Sequence, residues 1–385
     1  MKRVAIISPF FYPELIGSAP YNYDLAVKLR KEDMIVEAYC SHPMYPEWKP
    51  KKGDLNVNDI KLFRGGLWLK YPNKNILRRL ILETWFFFFI LRNIFRINRN
   101  DLVFIIFPPS LMALTLFFLR KNTKIIGIVH DLQAVHLGGG SFFKECLGKM
   151  IKFFEKAAFS VCNNLIFLSA EMQNEVCNEY KITKDKCAVV YPSITIQNFH
   201  NKNNLTKTFN RNYFNIVYSG ALGQKQDPDQ IFKTAKLLVE KNTKLRFYFF
   251  SNGQEFDRLR EMNSSENIIF KDLVKKEDLP ELLARSDLQL ISQIQGSSKG
   301  SLPSKLPNIL ASGTPVLSIT DKGSELQQIL ENQEGCFILN EWDTKKITKL
   351  VDMLSAKENN SYNRKDKLEI FMPDYIVKII KKMIS

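Results

Sequence analysis

Short, unbroken apolar runs alternate with helix-like segments along this chain, and the alternation occurs twice. VAIISPF, APYNYDLAVKLRK and IVEAYCS open the first series; LVFIIF, KIIGIVH, a helical stretch over 141–161, NLIFLS, a helix from Glu171 and CAVVY continue it. A strand apolar on successive residues has no wet face, so it belongs in a sheet covered on both sides, which for strands alternating with helices means a parallel sheet. Around 197–212 the pattern lapses into QNFHNKNNLTKTFNRN, a polar, Asn-rich linker. A second series follows: NIVYSG, a helix over 227–241, LRFYFFS, a helix over 254–262, NIIF, a helix over 276–286, LQLIS, and TPVLSI. The predicted fold class is α/β, with two Rossmann-like doubly wound domains; 385 residues suffice for both. Ligands of such sheets bind beyond the strands' carboxyl ends, so two facing sheets imply a cleft.

A hydrophobic content of 45% excludes a disordered chain, and 55 Lys+Arg against 40 Asp+Glu calls for an anionic partner: nucleic acid, an acidic membrane face or a phosphorylated substrate. No base-reading module is recognisable. The six cysteines lack metal-ligand spacing and read as reduced core thiols. MKRVAIISPFF reads as a first strand rather than a signal peptide, which places the protein in the cytoplasm. LVFIIFPPSLMALTLFFL, 102–119, has the length of a membrane span, but Pro108 and Pro109 divide it into a strand, a turn and a helix.

Several stretches suit phosphate. Gly17 and Ser18 precede a helix starting near Ala19, where backbone N–H groups are free and the helix dipole is positive. In SGALGQKQDPDQIF, Gly220 and Gly223 follow a strand, and Lys225 precedes a helix that Asp227 could cap; a solvated loop lysine is the plain alternative. In GSLPSKLPNILASGTPVLS, 300–318, Pro303 suits a first helical turn, Ser304 and Lys305 can donate, and Gly313 ends the helix. His130 ends a strand and can face a cleft or lie in a core, while His136 and Gly138-Gly139-Gly140 suggest a mobile rim loop. ILRRLILETWFFFFILRNIFR, 76–96, carries Arg78, Arg79, Trp85, Phe88 and Arg92, which could meet an anionic bilayer; a core helix with a wet basic edge is the alternative.

Together, YPELIGSAPYNYDLAVKL, HPMYPEWKP, VHDL, FLSAEM, YSGALGQKQ, NGQEFDRL, LPELLARSDLQLIS, LPSKLPNILASGTPV and GSEL resemble the retaining nucleotide-sugar glycosyltransferases of the GT-B fold. Among these they are most like the WcaI-like group of capsule, O-antigen and colanic-acid biosynthesis enzymes. The resemblance implies an N-terminal acceptor-binding domain, 1–200, joined by a crossing helix at 370–385, and a nucleotide-sugar domain, 201–369. It implies a donor diphosphate held by Gly17, Ser18, Gly220, Lys225, Leu302, Ser304 and Lys305. Gly253, Leu273, Val274 and Asn308 would bind the nucleoside, and His130 with Lys225 would be catalytic. Glu47 and His136 are candidate acceptor contacts. No cofactor and no metal are implied. The implied reaction moves a sugar from a nucleotide donor to a polyprenyl-diphosphate-linked saccharide at the inner face of the bacterial plasma membrane. A UDP-sugar is one possible donor. Two departures concern the donor: glutamates common in relatives are replaced by Gly300 and Asn308, and a common arginine by Ala221. A sugar-nucleotide epimerase of the same two-domain fold and a catalytically silent membrane scaffold are the competing readings.

Overall fold

The computed structural model describes residues 1–385 apart from 15–17, 45–46, 120–121, 132–141, 197–203, 298–301, 358–360, 365–367 and 385. Of the helical positions 75–76 and 142–147 it describes the backbone only. The chain divides into two compact units, Met1–Val190 with Asp374–Ser385, and Tyr191–Pro373. The sequence places these divisions at 200/201 and 369/370 instead.

The first unit comprises β1 (Arg3–Ile7), α1 (Ala19–Lys31), β2 (Ile35–Ser41), β3 (Asn56–Val57), β4 (Ile60–Gly65), α2 (Asn75–Ile97), β5 (Leu102–Phe107), β6 (Lys124–Val129), α3 (Phe142–Val161), β7 (Asn164–Phe167), α4 (Ala170–Tyr180) and β8 (Cys187–Val189). Its sheet has the order β3-β4-β2-β1-β5-β6-β7-β8, parallel except for β3 against β4. The unbroken apolar runs are explained by the pleat. Val103, Ile105 and Phe107 enter the core beneath α2 and α3, while Leu102, Phe104 and Ile106 enter the opposite core beneath α1. The C-terminal helix, Tyr375–Ile384, packs Ile380 into that second core and pairs Lys381 with Glu32 at 2.5 Å. Pro108 and Pro109 follow β5, and the second half of the 102–119 run is a 3-10 helix, Leu111–Phe118, rather than an α-helix. Glu83, the acid of the basic helix α2, accepts from Ser110 N (3.3 Å) and Leu111 N (3.0 Å) at the start of that turn. Among the described residues, no helix is long and apolar enough to cross a membrane.

The second unit comprises β9 (Phe214–Ser219), α5 (Pro228–Lys241), β10 (Leu245–Phe250), α6 (Gln254–Glu261), β11 (Ile268–Lys271), α7 (Leu279–Ala284), β12 (Leu288–Ser292), α8 (Leu306–Ser312), β13 (Val316–Ile319), α9 (Glu325–Glu331), β14 (Cys336–Leu339) and α10 (Thr344–Ser355). Its sheet is wholly parallel, in the order β11-β10-β9-β12-β13-β14. The strand order reverses at β9: the chain moves outward through β10 and β11, then returns to β12 on the other side. The carboxyl ends of β9 and β12 therefore diverge, leaving room for a ligand.

Two expectations for this unit change. Helix α8 begins at Leu306, with Pro307 in its first turn, so Pro303, Ser304 and Leu302 precede the helix instead of opening it. Gly313 does end it, at φ +75. Asp227 stands at the N-cap of α5 in a left-handed conformation but makes no side-chain cap; its carboxylate accepts from Trp342 Nε1 at 3.2 Å.

Candidate functional site

A cavity of about 190 Å³ opens where β9 and β12 diverge. It is lined by the ends of those strands, the 224–226 turn and the segment before α8. Lys225 stands in that turn, exposed, and its backbone carbonyl accepts from Ile294 N at 2.8 Å, which ties the turn to the loop after β12. Lys305 enters from the α8 side. Its ammonium donates to Ser219 O (3.0 Å) and Leu290 O (3.2 Å) and lies 4.0 Å from the Tyr218 ring centroid. Burial without an acidic partner pushes Lys305 down to about 7. Among the described residues that line the cavity there is no carboxylate. Gly220 and Ser304 line it with the two lysines; Leu302 packs instead against the core beneath α7 and α8.

The remaining expected residues of this unit are distributed differently. Gly253 precedes α6, and Leu273 and Val274 follow β11. The pairing of Phe250 with Ser219 and with Lys271 puts Gly220, Gly253 and Leu273 beyond the same end of the sheet. Ser251 Oγ donates to Gly220 O at 2.7 Å, bracing this rim. Leu273 is exposed, whereas Val274 packs against the core. Asn308 is buried, and its side chain faces the incoming chain rather than open space. Its Oδ1 accepts from Thr195 N (2.9 Å) and Ile196 N (3.3 Å), and its Nδ2 donates to Thr195 Oγ1 (3.0 Å). These bonds make Asn308 a clamp between α8 and the 195–196 segment.

Residues 201–367 match the family described as "Glycosyl transferases group 1", and residues 17–198 match "Glycosyltransferase Family 4". The two matches together take in both units. The chain belongs to the GT-B glycosyltransferases. This glycosyltransferase is 24% identical over 367 residues to the Escherichia coli K12 protein named as the colanic acid biosynthesis glycosyl transferase WcaI, covering 86% of this chain and 87% of that one. Among solved structures it is similar to WaaG, titled a glycosyltransferase involved in lipopolysaccharide biosynthesis, with TM-score 0.65, 14% identity, and 97% and 95% of the two chains covered. It is also similar to HepE of Anabaena, solved in complex with UDP, with TM-score 0.67, 11% identity, and 100% and 99% covered.

In the first unit of the glycosyltransferase, Ser18 precedes α1, as expected, and Gly17 lies outside the described residues. Asn22, which the sequence reading did not single out, is buried and donates from Nδ2 to Ser8 Oγ (3.0 Å) and Phe10 O (3.0 Å), knitting the loop after β1 to α1. His130 follows β6, donates its backbone N–H to Phe107 O at 3.0 Å, and lies 5.8 Å from the Tyr21 ring. Burial pushes its imidazole down to about 4, against the opposing pull of Asp131, so at neutral pH the ring is uncharged and can both donate and accept. Glu47 is exposed and pairs with Lys51 at 3.0 Å; His136 lies outside the described residues.

The membrane candidates separate by helix face. Trp85 packs beside Phe86 and Phe89 toward the core, and Arg78 lies over Trp48, 4.3 Å from its ring centroid, so neither points outward. Phe88 is 61% exposed, and Phe95, about two helical turns later, is 81% exposed. Arg79 and Arg92 are exposed too. Phe117 and Phe118 of the adjoining 3-10 helix and Phe153 of α3 add to this apolar exposure. Among the described residues, no group of three His, Cys, Asp or Glu is placed to hold a metal ion, and the described cysteines are free thiols.

Proposed function

We propose that the protein is a retaining glycosyltransferase that moves a sugar from a nucleotide-diphosphate donor to a lipid-linked saccharide during assembly of a bacterial surface polysaccharide. One observation carries the donor assignment: among the described residues, the wall of the cavity at the β9/β12 divergence has two lysines and no carboxylate. Such a site favours a ligand that brings its own negative charge. The Lys225 ammonium makes no ion pair among the described residues, so it is available to the departing diphosphate. In the reaction, the bond between the sugar's anomeric carbon and the phosphate oxygen breaks. The acceptor hydroxyl forms the new bond on the same face, and its proton passes to the departing phosphate. Charge grows on the diphosphate as the bond lengthens, and a fixed cation lowers that barrier most where water is scarce. Neutral His130 supplies a hydrogen bond to a sugar hydroxyl and no charge. The lysines take the role a divalent cation plays in other transferases.

The acceptor assignment is supported by the outer face of α2. Aromatic side chains exposed in a row beside Arg92 and Arg99 match the interior and headgroups of an anionic leaflet, where a polyprenyl-linked acceptor resides. WcaI and WaaG bear names from surface-polysaccharide assembly, which points to the same pathway class. The test is release of nucleoside diphosphate from a panel of nucleotide sugars, with and without polyprenyl-diphosphate saccharides. Release should require acceptor, survive EDTA, and fall about 100-fold in Lys225→Ala. Turnover unchanged in Lys225→Ala would refute the phosphate assignment, and donor interconversion without acceptor would favour an epimerase.

A further inference from the structure

Cys177 and Cys187 stand 10 positions apart, and the fold of the first unit brings their Sγ atoms to 3.7 Å. Among the described residues they are the one pair of cysteines in contact; Cys40 and Cys162 are each buried away from any other thiol. Cys177 lies in the last turn of α4, which Lys181 ends in a left-handed conformation. The chain returns through a 3-10 turn, Lys184–Lys186, and Cys187 opens β8. Ile182 N donates to Cys177 O at 3.1 Å, so backbone bonds already hold the two elements side by side. A disulfide needs about 2 Å between its sulfurs, so closing this gap asks for side-chain rotation and no sliding of α4 past β8.

The two thiols differ in access. Cys177 is 6% exposed, whereas Cys187 is half-buried and makes only a weak bond, to Thr183 O at 3.5 Å. A reagent from solvent meets Cys187 first, and Cys177 waits behind it. A resolving thiol has that arrangement: it intercepts the first oxidation product before a second oxidation makes the damage permanent.

We propose that Cys177 and Cys187 form a reversible oxidation site, which takes a peroxide as its two-electron oxidant and closes to a disulfide that staples β8 to α4. The Cys187 thiolate attacks a peroxide oxygen, the O–O bond breaks, and Cys187 becomes a sulfenic acid as water or an alcohol leaves. The Cys177 sulfur then attacks the sulfenic sulfur; the S–S bond forms, the S–O bond breaks, and a water leaves with the Cys177 proton. Two thiols have lost two electrons, and the peroxide has gained them. The staple acts where the sheet is weakest. β8 is its edge strand, with β7 as its one neighbour, and all three of its residues are half-buried. Val190, directly after it, is the last residue of the first unit before the chain passes to the second.

The reaction has a definite pH sense. Burial, and then the bond to Cys177, pushes the Cys187 thiol up to about 12, against the pull of Lys186. The titratable groups beside it are Cys177 on α4 and Lys186 in the preceding turn; β7 meets it in register at Leu165, which carries no charge. Since the thiolate is the nucleophile, oxidation is slow near neutrality and faster at pH 8.5.

The test treats the folded full chain with hydrogen peroxide at pH 7 and pH 8.5, followed by peptide mapping without reductant and by thermal melting. Wild type should yield a peptide joining Cys177 to Cys187, sooner at the higher pH and undone by dithiothreitol, and its melting temperature should rise by several degrees. Cys177→Ala should carry Cys187 onward to the sulfinic acid, which dithiothreitol does not reverse. In Cys187→Ser the buried Cys177 should stay unmodified at the same dose, which keeps the test open if Cys177→Ala melts early. Mapping separates this link from any that Cys146 or Cys336 makes. Sulfinic Cys187 in wild type at the level seen in Cys177→Ala, an unreacted pair at pH 8.5, or a link that leaves the melting temperature unchanged or lower would each overturn the proposal.

Discussion

Asn308 Nδ2 donates to Thr195 Oγ1 at 3.0 Å while Asn308 Oδ1 accepts from Thr195 N at 2.9 Å, so one buried amide closes a two-way bond with a residue 113 positions earlier. A third bond, from Ile196 N, completes the clamp. Asn308→Ala leaves those backbone donors without an acceptor and should destabilise the chain by about 1–3 kcal/mol. Urea unfolding reads this directly. In the folded variant, nucleoside diphosphate affinity should change less than about threefold; a large loss of affinity at native stability would return Asn308 to the nucleotide.

Phe88 and Phe95 are largely exposed, so replacing both with Ser should leave the melting temperature within a degree or two. Sedimentation with vesicles containing anionic phospholipid should drop severalfold in the double variant and in high salt. Unchanged vesicle binding at low salt would remove α2 from the membrane contact.

His130 gives a pH dependence of definite sign. Its folded pKa lies near 4, below the unfolded value near 6.5, so the unfolded chain binds the extra proton first as pH falls. Its contribution is fully present above about pH 6.5 and is lost as pH falls toward 4. Urea midpoints measured across that range should decline less steeply in His130→Asn than in wild type. Parallel curves would show that the ring is not held neutral.

Gly313 is held at φ +75, and a Cβ built there would lie 2.5 Å from the backbone oxygen of Tyr362. Gly313→Ala should therefore cost more than the usual ~1 kcal/mol of a left-handed alanine, lowering the melting temperature by several degrees. A variant as stable as wild type would mean that the 361–362 segment can move away freely.

Much of the architecture was legible locally. A pleated strand sends alternate residues to opposite faces, so runs such as LVFIIF and LRFYFF can be buried only if both faces are covered, and β5 and β10 are. The start of α1 near Ala19, after Gly17 and Ser18, and the stop of α8 at Gly313 were also readable, because such signals act through the local backbone. The short β4 and β14 did not show, since neither is a fully buried apolar run; β4 carries Lys61 and Arg64, and all four β14 residues are only half-buried.

What the chain's order of residues determined by itself, then, was the alternation of strands and helices, the two units, and the positions of Gly220, Lys225 and Lys305 at the turns after strands or before a helix. Tertiary structure alone decided what each side chain meets. It placed Ser292 and Lys305 on one cavity wall, turned Asn308 toward Thr195, and turned Trp85 inward while Phe88 stayed out. The physical reason is range: a helix or strand is written in neighbours three or four residues apart, whereas a hydrogen bond or a missing counter-ion depends on which distant segment the packed core brings alongside.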